Sequence, residues 1–260
     1  MNFKVPKVMG ILNVTPDSFY PESRTFNISD IRRRAEKMIS DGVEIIDVGG
    51  CSTRPGYHAP SEVEEWERVD KGCRIVREIS EDIPLSIDTF RASVALKAIE
   101  KWGAAIINDV SGGIDSDMWQ IVAAKGVAYV LTHNFQDTPS YTDVTSEVII
   151  YLSKKVNELH RMGLNDVIID PGFGFAKTLD DNFRLFKEME EVAAMGMPVL
   201  VGLSRKSMIY KTLGVTPEQS LAGSIALEAI ALTKGADILR VHDVKEAVET
   251  IKLFARISNS

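Results

Sequence analysis

The sequence predicts a parallel (β/α)8 barrel, also called a TIM barrel, and three observations support that prediction. Apolar, strand-like runs alternate with helix-like runs from one end of the 260-residue chain to the other. The alternation gives eight strand–helix units, which matches the size and rhythm of such a barrel. Nearly every predicted strand also ends in a polar residue, and a barrel gathers all of those strand ends at one mouth.

The first four strands are short apolar runs, each followed by a polar segment and a helical pattern. They are predicted at residues 8–14, 45–48, 85–87 and 105–107. The first helix begins near Ser29 and Asp30, two residues of the types that cap helix N-termini. The second begins with the capping-box pattern of Ser61 and Glu64. The third and fourth helices are predicted at residues 91–102 and 118–125.

The last four units repeat this order. Their strands are predicted at residues 128–131, 167–169, 198–203 and 238–241, and their helices at 145–162, 179–194, 217–233 and 244–257. The sixth strand is β-branched and ends at Asp170, after which Gly172 and Gly174 allow the backbone to approach a ligand closely. Phe173 and Phe175 suit either a pocket floor or packing under the turn.

An open, doubly wound parallel sheet shares this alternation and is the competing architecture. It fits less well, because no Gly-x-Gly-x-x-Gly turn follows the first strand and because an open sheet would scatter the polar strand ends. No linker rich in Pro, Gly or Ser, low-complexity run or change of composition divides the chain. We therefore predict one domain over residues 1–260.

Composition and charge argue against several classes of protein. The chain is 45% hydrophobic with a net charge of −7, and its one basic cluster, Arg32 to Arg34, lies in a predicted helix. A nucleic-acid-binding surface is therefore not expected. The N-terminus has no long apolar region, and no run approaches the roughly 20 apolar residues of a membrane span. With only Cys51 and Cys73, the chain suits a reducing compartment, and we expect a cytoplasmic protein.

A barrel would bring a set of polar residues to one rim. They are Asn13, Thr53, Asp88, Asn108, His133, Asp170, Lys206, Arg240 and His242. Each has an ordinary alternative explanation: Asp88 can cap the next helix, Asn108 or Asp109 can order a turn, and a lone histidine such as His133 is more often a buried packing residue. The concentration of these residues at successive strand ends favours a functional site over separate coincidences.

One part of the rim suits a planar heterocycle. Asp88, Asn108 and Asp170 combine two carboxylates with an amide, and an ionised carboxylate can accept two hydrogen bonds from an amino-pyrimidine edge. Lys206 can donate a hydrogen bond to a ring carbonyl.

The other part of the rim suits phosphate. Arg240 and His242 follow the eighth strand, and Asn13 and the loop at residues 52–54 would lie beside them. A diphosphate would bring Mg²⁺, for which Asn13 offers a single neutral oxygen, with water and phosphate filling the rest of the shell. No Ser-His-Asp triad, Cys-rich metal site or Walker A motif is evident in the sequence.

Seven segments of the chain resemble, in order, the motifs of the dihydropteroate synthase family, the sulfonamide-target enzymes of folate synthesis. They are GILNVTPDSF (10–19), STRPG (52–56), SIDT (86–89), IND (107–109), DPGFG (170–174), SRKS (204–207) and RVHD (240–243). The resemblance spans the chain from Val8 to Asp243, and several of the motifs are long and specific.

The resemblance implies a transferase that condenses 6-hydroxymethyl-7,8-dihydropterin diphosphate with p-aminobenzoate to give dihydropteroate and pyrophosphate, with Mg²⁺ as cofactor. It implies that the pterin is held by Asp88, Asn108, Asp170 and Lys206, and that Asp88, Lys206 and Arg240 are catalytic. It assigns Thr53, Arg240 and His242 to the diphosphate, Asn13 to Mg²⁺, and Phe19, Arg54, Pro55 and Ser207 to p-aminobenzoate. A homodimer that uses the last helices is also implied.

The sequence departs from the family pattern in three places. Cys51 replaces a glutamate in the second loop, which removes a charge beside the anion site. Residues 132–134 read Thr-His-Asn where Met-His-Met is usual, so a Met that packs on the pterin is replaced, and Phe173 is a candidate to compensate. The first loop reads Ser-Phe-Tyr-Pro-Glu at residues 18–22 instead of Ser-Phe-Ser-Asp-Gly.

Two alternative functions remain open. A pterin-binding barrel of the methyltransferase type would share the acids that bind the pterin but would need no diphosphate site, so residues 204–207 and 240–242 favour the synthase. A catalytically silent pterin-binding paralogue is supported only by the altered positions Cys51 and Thr132.

Overall fold

The computed structural model of the chain describes residues 5–15, 28–51, 59–135 and 140–258, where strands and helices alternate. The strands are β1 (Lys7–Asn13), β2 (Ile45–Gly49), β3 (Leu85–Asp88), β4 (Ile106–Asp109), β5 (Ala128–Thr132), β6 (Val167–Asp170), β7 (Leu200–Val201) and β8 (Ile238–Val241). The helices are α1 (Ile28–Ser40), α2 (Glu62–Ile79), α3 (Ala92–Trp102), α4 (Met118–Lys125), α5 (Val144–Arg161), α6 (Leu179–Lys187), α7 (Met189–Ala193), α8 (Ser207–Leu213), α9 (Leu221–Thr233) and α10 (Val244–Ser258).

The eight strands form one parallel sheet in the order β6-β5-β4-β3-β2-β1-β8-β7. The two end strands meet through a parallel bridge between Ile169 and Val199. At this seam the Ile169 N–H donates to the carbonyl of Pro198 at 2.9 Å. The sheet therefore curls into a nearly closed barrel, and the predicted fold class is confirmed.

Strand side chains alternate between two apolar cores, as the period of two residues in a strand requires. The inner core fills the barrel, and the outer core lies between the barrel wall and the helices. The inner cluster comprises Met9, Ile45, Ile106, Ala128, Val130, Ile168, Leu200 and Ile238. Residues one position away, such as Val8, Ile46 and Ile107, belong to the outer cluster. Inward positions nearer the carboxyl ends of the strands are polar or glycine, which places a polar chamber above an apolar base.

The capping box predicted at the second helix is present. Oγ of Ser61 accepts from the N–H of Glu64 at 3.3 Å, and Oε2 of Glu64 accepts from the N–H of Ser61 at 2.9 Å. Among the described helices, none is both long and apolar enough to cross a lipid bilayer.

The structure departs from the predicted elements in four places. The helix predicted at residues 217–233 begins at Leu221, after a separate 3-10 helix at Pro217–Gln219. The seventh strand is shorter than predicted, because only Leu200 and Val201 pair in register with β8. The helix predicted at residues 179–194 is two helices, since the backbone at Glu188 leaves helical geometry. The helix α8 was not predicted; it follows Lys206 directly and ends at Gly214 in a left-handed conformation.

Candidate active site at the carboxyl ends of the strands

Polar side chains from five strands face the barrel interior at its mouth. They are Asp88 on β3, Asn108 on β4, Thr132 on β5, Asp170 on β6 and Arg240 on β8. Glycines take the corresponding places on or after β2 and β7. A Cβ atom at Gly49 would lie 3.4 Å from Oδ1 of Asn13, and one at Gly202 would lie 3.8 Å from Nζ of Lys206. The two glycines therefore keep side-chain atoms out of the region between these polar groups.

Arg240 is held by two buried acids. Its Nε donates to Oδ2 of Asp47 at 2.7 Å, and its Nη2 donates to Oδ2 of Asp88 at 2.5 Å. The same oxygen of Asp47 accepts from Nδ2 of Asn108 at 3.0 Å. Asp47 has no solvent exposure and was not among the predicted site residues. The available signal was one acid within the otherwise apolar strand Ile-Ile-Asp-Val-Gly.

Two acids share one cation at this point, and the pKa values of Asp88 and Arg240 reflect it. Burial, together with repulsion from Asp47, raises the pKa of Asp88 to about 7, despite the opposing attraction of Arg240. Burial lowers the pKa of Arg240, but attraction by Asp47 and Asp88 more than offsets this and raises it above its usual value. Arg240 therefore stays charged, while Asp88 can exchange a proton near neutral pH.

Asp170 and Lys206 carry opposite charges at the mouth, and each influences the pKa of the other. Oδ1 of Asp170 accepts from the N–H of Gly172 at 2.8 Å, and the residue is 5% exposed. Burial raises the pKa of Asp170, and the nearby charge of Lys206 opposes this rise. Lys206 donates to the carbonyl of Phe173 and lies 4.7 Å from the ring centre of Phe175. Burial lowers its pKa to about 8, with Asp170 acting in the opposite direction.

The glycines after β6 allow close packing within the protein, while their predicted close approach to a ligand stays a prediction. A Cβ at Gly172, where φ is +73°, would lie 2.0 Å from the carbonyl oxygen of His133. One at Gly174 would lie 3.2 Å from Cδ of Lys206. Phe173 is fully buried and contacts Phe186 edge to face, so it belongs to the core and does not compensate for the altered position 132.

His133 follows the last residue of β5 but is not directed into the chamber, because Thr132 takes the inward position. Its Nδ1 lies 2.9 Å from Nζ of Lys177, a residue that sequence reasoning missed. Lys177 also donates to the carbonyls of Gly172 at 3.0 Å and Phe175 at 3.2 Å. It therefore fixes the loop that follows Asp170. Burial lowers the pKa of Lys177 to about 7, although Asp170 opposes the shift.

The ends of β7 and β8 are tied together by an ion pair. Nε and Nη2 of Arg205 donate to Asp243 at 2.9 and 2.8 Å, and the Arg205 backbone has a φ of +56°. Oγ of Ser204 accepts from the N–H of His242 at 3.2 Å. The side chain of His242 is exposed at the rim. Partial burial of its ring, together with the positive charges of Arg240 and Arg34, lowers its pKa. At neutral pH it is an uncharged hydrogen-bonding group.

Four predicted site residues, Phe19, Thr53, Arg54 and Pro55, lie outside the described residues. Asn13 is half-buried at the end of β1, and Ser207 is the first residue of α8. The turn after β4 is ordered by Asp109, which accepts from Ser111 and Tyr129, whereas Asn108 faces the chamber.

Cys51, which stands where the family usually has a glutamate, is buried after β2. Burial and the negative charge of Glu65 raise the pKa of its thiol to about 11. The residue is therefore protonated at neutral pH and adds no charge to the site.

The sequence is similar to curated proteins across almost its entire length. A family model described as "Pterin binding enzyme" matches residues 9–242. Dihydropteroate synthase from Bacillus subtilis is 40% identical over 256 residues, covering 97% of this chain and 88% of that protein. Dihydropteroate synthase from Escherichia coli K12 is 40% identical over 258 residues, covering 95% of this chain and 90% of that protein.

Solved structures give the same result. Xanthomonas albilineans dihydropteroate synthase with 4-aminobenzoic acid has a TM-score of 0.94 and 36% identity, covering 100% of this chain and 96% of that chain. The same enzyme in complex with 7,8-dihydropteroate has a TM-score of 0.90 and 34% identity, with coverage of 100% and 96%. The chain therefore belongs to the pterin-binding enzyme family and, within it, to the dihydropteroate synthases.

Proposed function

We propose that the protein condenses 6-hydroxymethyl-7,8-dihydropterin diphosphate with p-aminobenzoate, releasing dihydropteroate and pyrophosphate. The observation that carries the proposal is the polar chamber at the mouth, beside two glycines that carry no side chain. Its polar groups are Asp88, Asn108, Asp170, Lys206 and Arg240, with Arg240 bonded directly to Asp88. Two structures of one relative, Xanthomonas albilineans dihydropteroate synthase, hold 4-aminobenzoic acid and 7,8-dihydropteroate and support the assignment of substrates.

The heterocycle would be read by groups that are already oriented. Asn108 donates to Asp47 through Nδ2, and its Oδ1 has no hydrogen-bond partner among the described residues. That oxygen, together with the carboxylates of Asp88 and Asp170, gives three acceptors for the ring N–H and amino groups of a pterin. Lys206 would donate to the ring carbonyl. Since these groups are fixed by the protein, little reorganisation is needed on binding.

The diphosphate would lie at the β8 side of the mouth. Arg240 has five N–H donors, so a guanidinium held by two acids still has further donors to offer a phosphate. His242 and Thr53 would add hydrogen bonds at the rim.

The oxygen atoms that the protein offers suit Mg²⁺ only if substrate phosphates and water supply most of its ligands. Among the described residues no group of three or more His, Cys, Asp or Glu side chains could hold a metal ion. Asn13 offers one neutral oxygen, and Mg²⁺ commonly keeps several waters and is bound through few protein groups plus substrate phosphates. The site thus suits Mg²⁺ that arrives with the diphosphate, where it would neutralise phosphate charge.

The residues act by stabilising charge, without a protein nucleophile. As the bond between the pterin methylene carbon and the diphosphate oxygen breaks, the electron pair leaves with the diphosphate, which Arg240 and His242 hold. The carboxylate of Asp88 stabilises the positive charge left on the pterin. The amine nitrogen of p-aminobenzoate then bonds to that carbon and loses a proton to solvent. Phe19, Arg54, Pro55 and Ser207 would hold p-aminobenzoate against the pterin and exclude water.

The decisive experiment is a turnover assay with purified protein, Mg²⁺, the pterin diphosphate and p-aminobenzoate. We expect pyrophosphate release that depends on p-aminobenzoate and that stops when EDTA removes Mg²⁺. The product should comigrate with dihydropteroate. Tight pterin binding without turnover would contradict the synthase and indicate a silent pterin-binding protein.

The pH dependence of kcat/KM should be a narrow bell. Asp88, with a pKa of about 7, must be ionised to stabilise the pterin cation, so activity falls as the pH drops below 7. Lys206, with a pKa of about 8, must be protonated, so activity falls as the pH rises above 8. A Lys206→Arg variant, which stays charged, should lose the alkaline limb. An unchanged alkaline limb in that variant would show that another group titrates there.

We further propose that the protein is a cytoplasmic homodimer, each subunit a single domain. Exposed apolar side chains on the last three helices support the dimer, with Leu253 and Ile257 on α10 being 68% and 73% exposed. Light scattering after size exclusion should give twice the chain mass, and Leu253→Glu should reduce it to one chain. Ile150→Glu, at an equally exposed position on α5, should leave the mass unchanged. A monomeric wild type would refute the dimer.

A further inference from the structure

Four buried polar atoms in the barrel interior have no hydrogen-bond partner among the described residues. They are Oδ1 of Asp47, Oγ of Ser86, Oδ1 of Asn108 and Oγ1 of Thr132. The residues belong to β2, β3, β4 and β5, which are consecutive neighbours in the sheet. Buried polar groups are normally paired, because a buried group without a partner destabilises the fold. A run of four such atoms on consecutive strands makes this side of the barrel interior suited to a polar ligand.

Thr132 stands out within this set by its position. It is fully buried, and it pairs directly with Asp170 in the parallel register of β5 and β6. Neighbouring strands are separated by about 4.8 Å, so the two side chains project into the same part of the chamber. Val130, two residues earlier on β5, belongs to the inner core, which confirms that Thr132 points inward. The hydroxyl thus faces the space beside the carboxylate assigned to the heterocycle.

Ser86 provides the contrast. It is equally buried and its hydroxyl is also without a described partner, but it lies two residues before Asp88 on β3. Its register partners are Asp47 and Ile106, the second of which belongs to the apolar base of the barrel. The Ser86 hydroxyl therefore lies in the layer of the apolar base, whereas Thr132 lies in the layer of Asp170.

We propose that Thr132 is a specificity-determining residue of the pterin pocket, whose hydroxyl forms a hydrogen bond with the bound heterocycle beside Asp170. This inference rests on the proposed function, because it takes the pterin as the ligand. A hydroxyl both donates and accepts, so it can pair with a ring nitrogen or with an N–H group of the ring edge. A heterocycle lacking a polar atom at that edge would leave the hydroxyl unsatisfied and would bind more weakly.

Isosteric replacement separates this role from a structural one. In Thr132→Val the hydroxyl is lost while the shape is kept. We expect the melting temperature of the unliganded protein to rise, because a buried polar atom without a partner has been removed. In the same variant, we expect the Kd for the pterin diphosphate with Mg²⁺, measured by calorimetry, to rise at least five-fold. Thr132→Ser keeps the hydroxyl and should bind within about two-fold of the wild type.

Ser86→Ala is the matched control. It should raise the melting temperature of the unliganded protein in the same way but leave the Kd for the pterin diphosphate within about two-fold. A Thr132→Val variant that binds as tightly as the wild type would overturn the proposal for Thr132 alone. A lower melting temperature for that variant would also overturn it, because the hydroxyl would then have a partner in the unliganded protein. A wild type that binds no pterin would instead refute the proposed function, and the Thr132 proposal with it.

Discussion

An Asp170→Asn variant should bind the pterin diphosphate about 30-fold more weakly than the wild type. The carboxylate of Asp170 is almost completely buried and is oriented by the N–H of Gly172, so its loss removes a charge-assisted pair from a dry site. Pairs of this kind contribute about 2 kcal/mol, which corresponds to about that change in affinity. Calorimetric titration with the pterin diphosphate and Mg²⁺ measures the effect directly, and kcat/KM should fall at least as far.

The matched control for this variant is Asp180→Asn, which neutralises an exposed acid in the first turn of α6. It should leave the Kd within about two-fold of the wild type. If Asp170→Asn bound the pterin diphosphate as tightly as the control, the heterocycle would not lie at the end of β6, and the chamber would have been assigned to the wrong ligand.

An Arg240→Met variant should lose about 3–5 kcal/mol of unfolding free energy at pH 8, because removing one partner of a buried ion pair leaves uncompensated charge. Here the abandoned groups are the carboxylates of Asp47 and Asp88. The pKa of Asp88 is already raised, so this acid binds a proton as the pH falls and no longer carries a buried charge. The deficit in unfolding free energy should therefore be smaller at pH 5 than at pH 8. Urea denaturation of wild type and variant at both values measures the difference.

Arg161→Met is the control for that experiment, since Arg161 is an exposed cation at the end of α5. Its unfolding free energy should stay within about 0.5 kcal/mol of the wild type at both pH values. An Arg240→Met deficit of the same size at pH 5 and pH 8 would show that the stranded carboxylates are not its cause.

The barrel could be predicted because its strands are buried on both faces. Such strands appear in the sequence as apolar, β-branched runs, and each predicted run overlaps an observed strand. Helix α8 could not be predicted in the same way, because seven residues are too few to show a helical period. The break at Glu188 was missed because the apolar positions of α6 and α7 continue the same pattern across it.

Site residues could be predicted from the sequence only where a polar residue stands at the end of a predicted strand. Asp88, Asn108, Asp170 and Arg240 are polar residues at strand ends, and all four face the chamber. Asp47 and Lys177 act through contacts to residues distant in sequence, 193 positions away in the case of Asp47 with Arg240, and no local pattern reports such contacts.

The position of His133 outside the chamber could have been inferred from the sequence. Strand side chains alternate, so once Thr132 is placed inward its neighbour must point outward. At the end of β5, residue type alone favours His133 over Thr132 as the functional residue. The structure shows that the period of the strand decides between them.

The seam of the barrel runs through the proposed pterin site. Strand β7 has two residues, and β6 and β7 meet through the bridge between Ile169 and Val199. Asp170 ends the strand on one side of this seam, and Lys206 follows the strand on the other. A ligand bound by both residues would bridge β6 and β7 across the seam. Binding and barrel closure would then strengthen each other, as thermodynamic linkage requires. Substrate binding would then stabilise the contact between β6 and β7, where the pairing between strands is shortest.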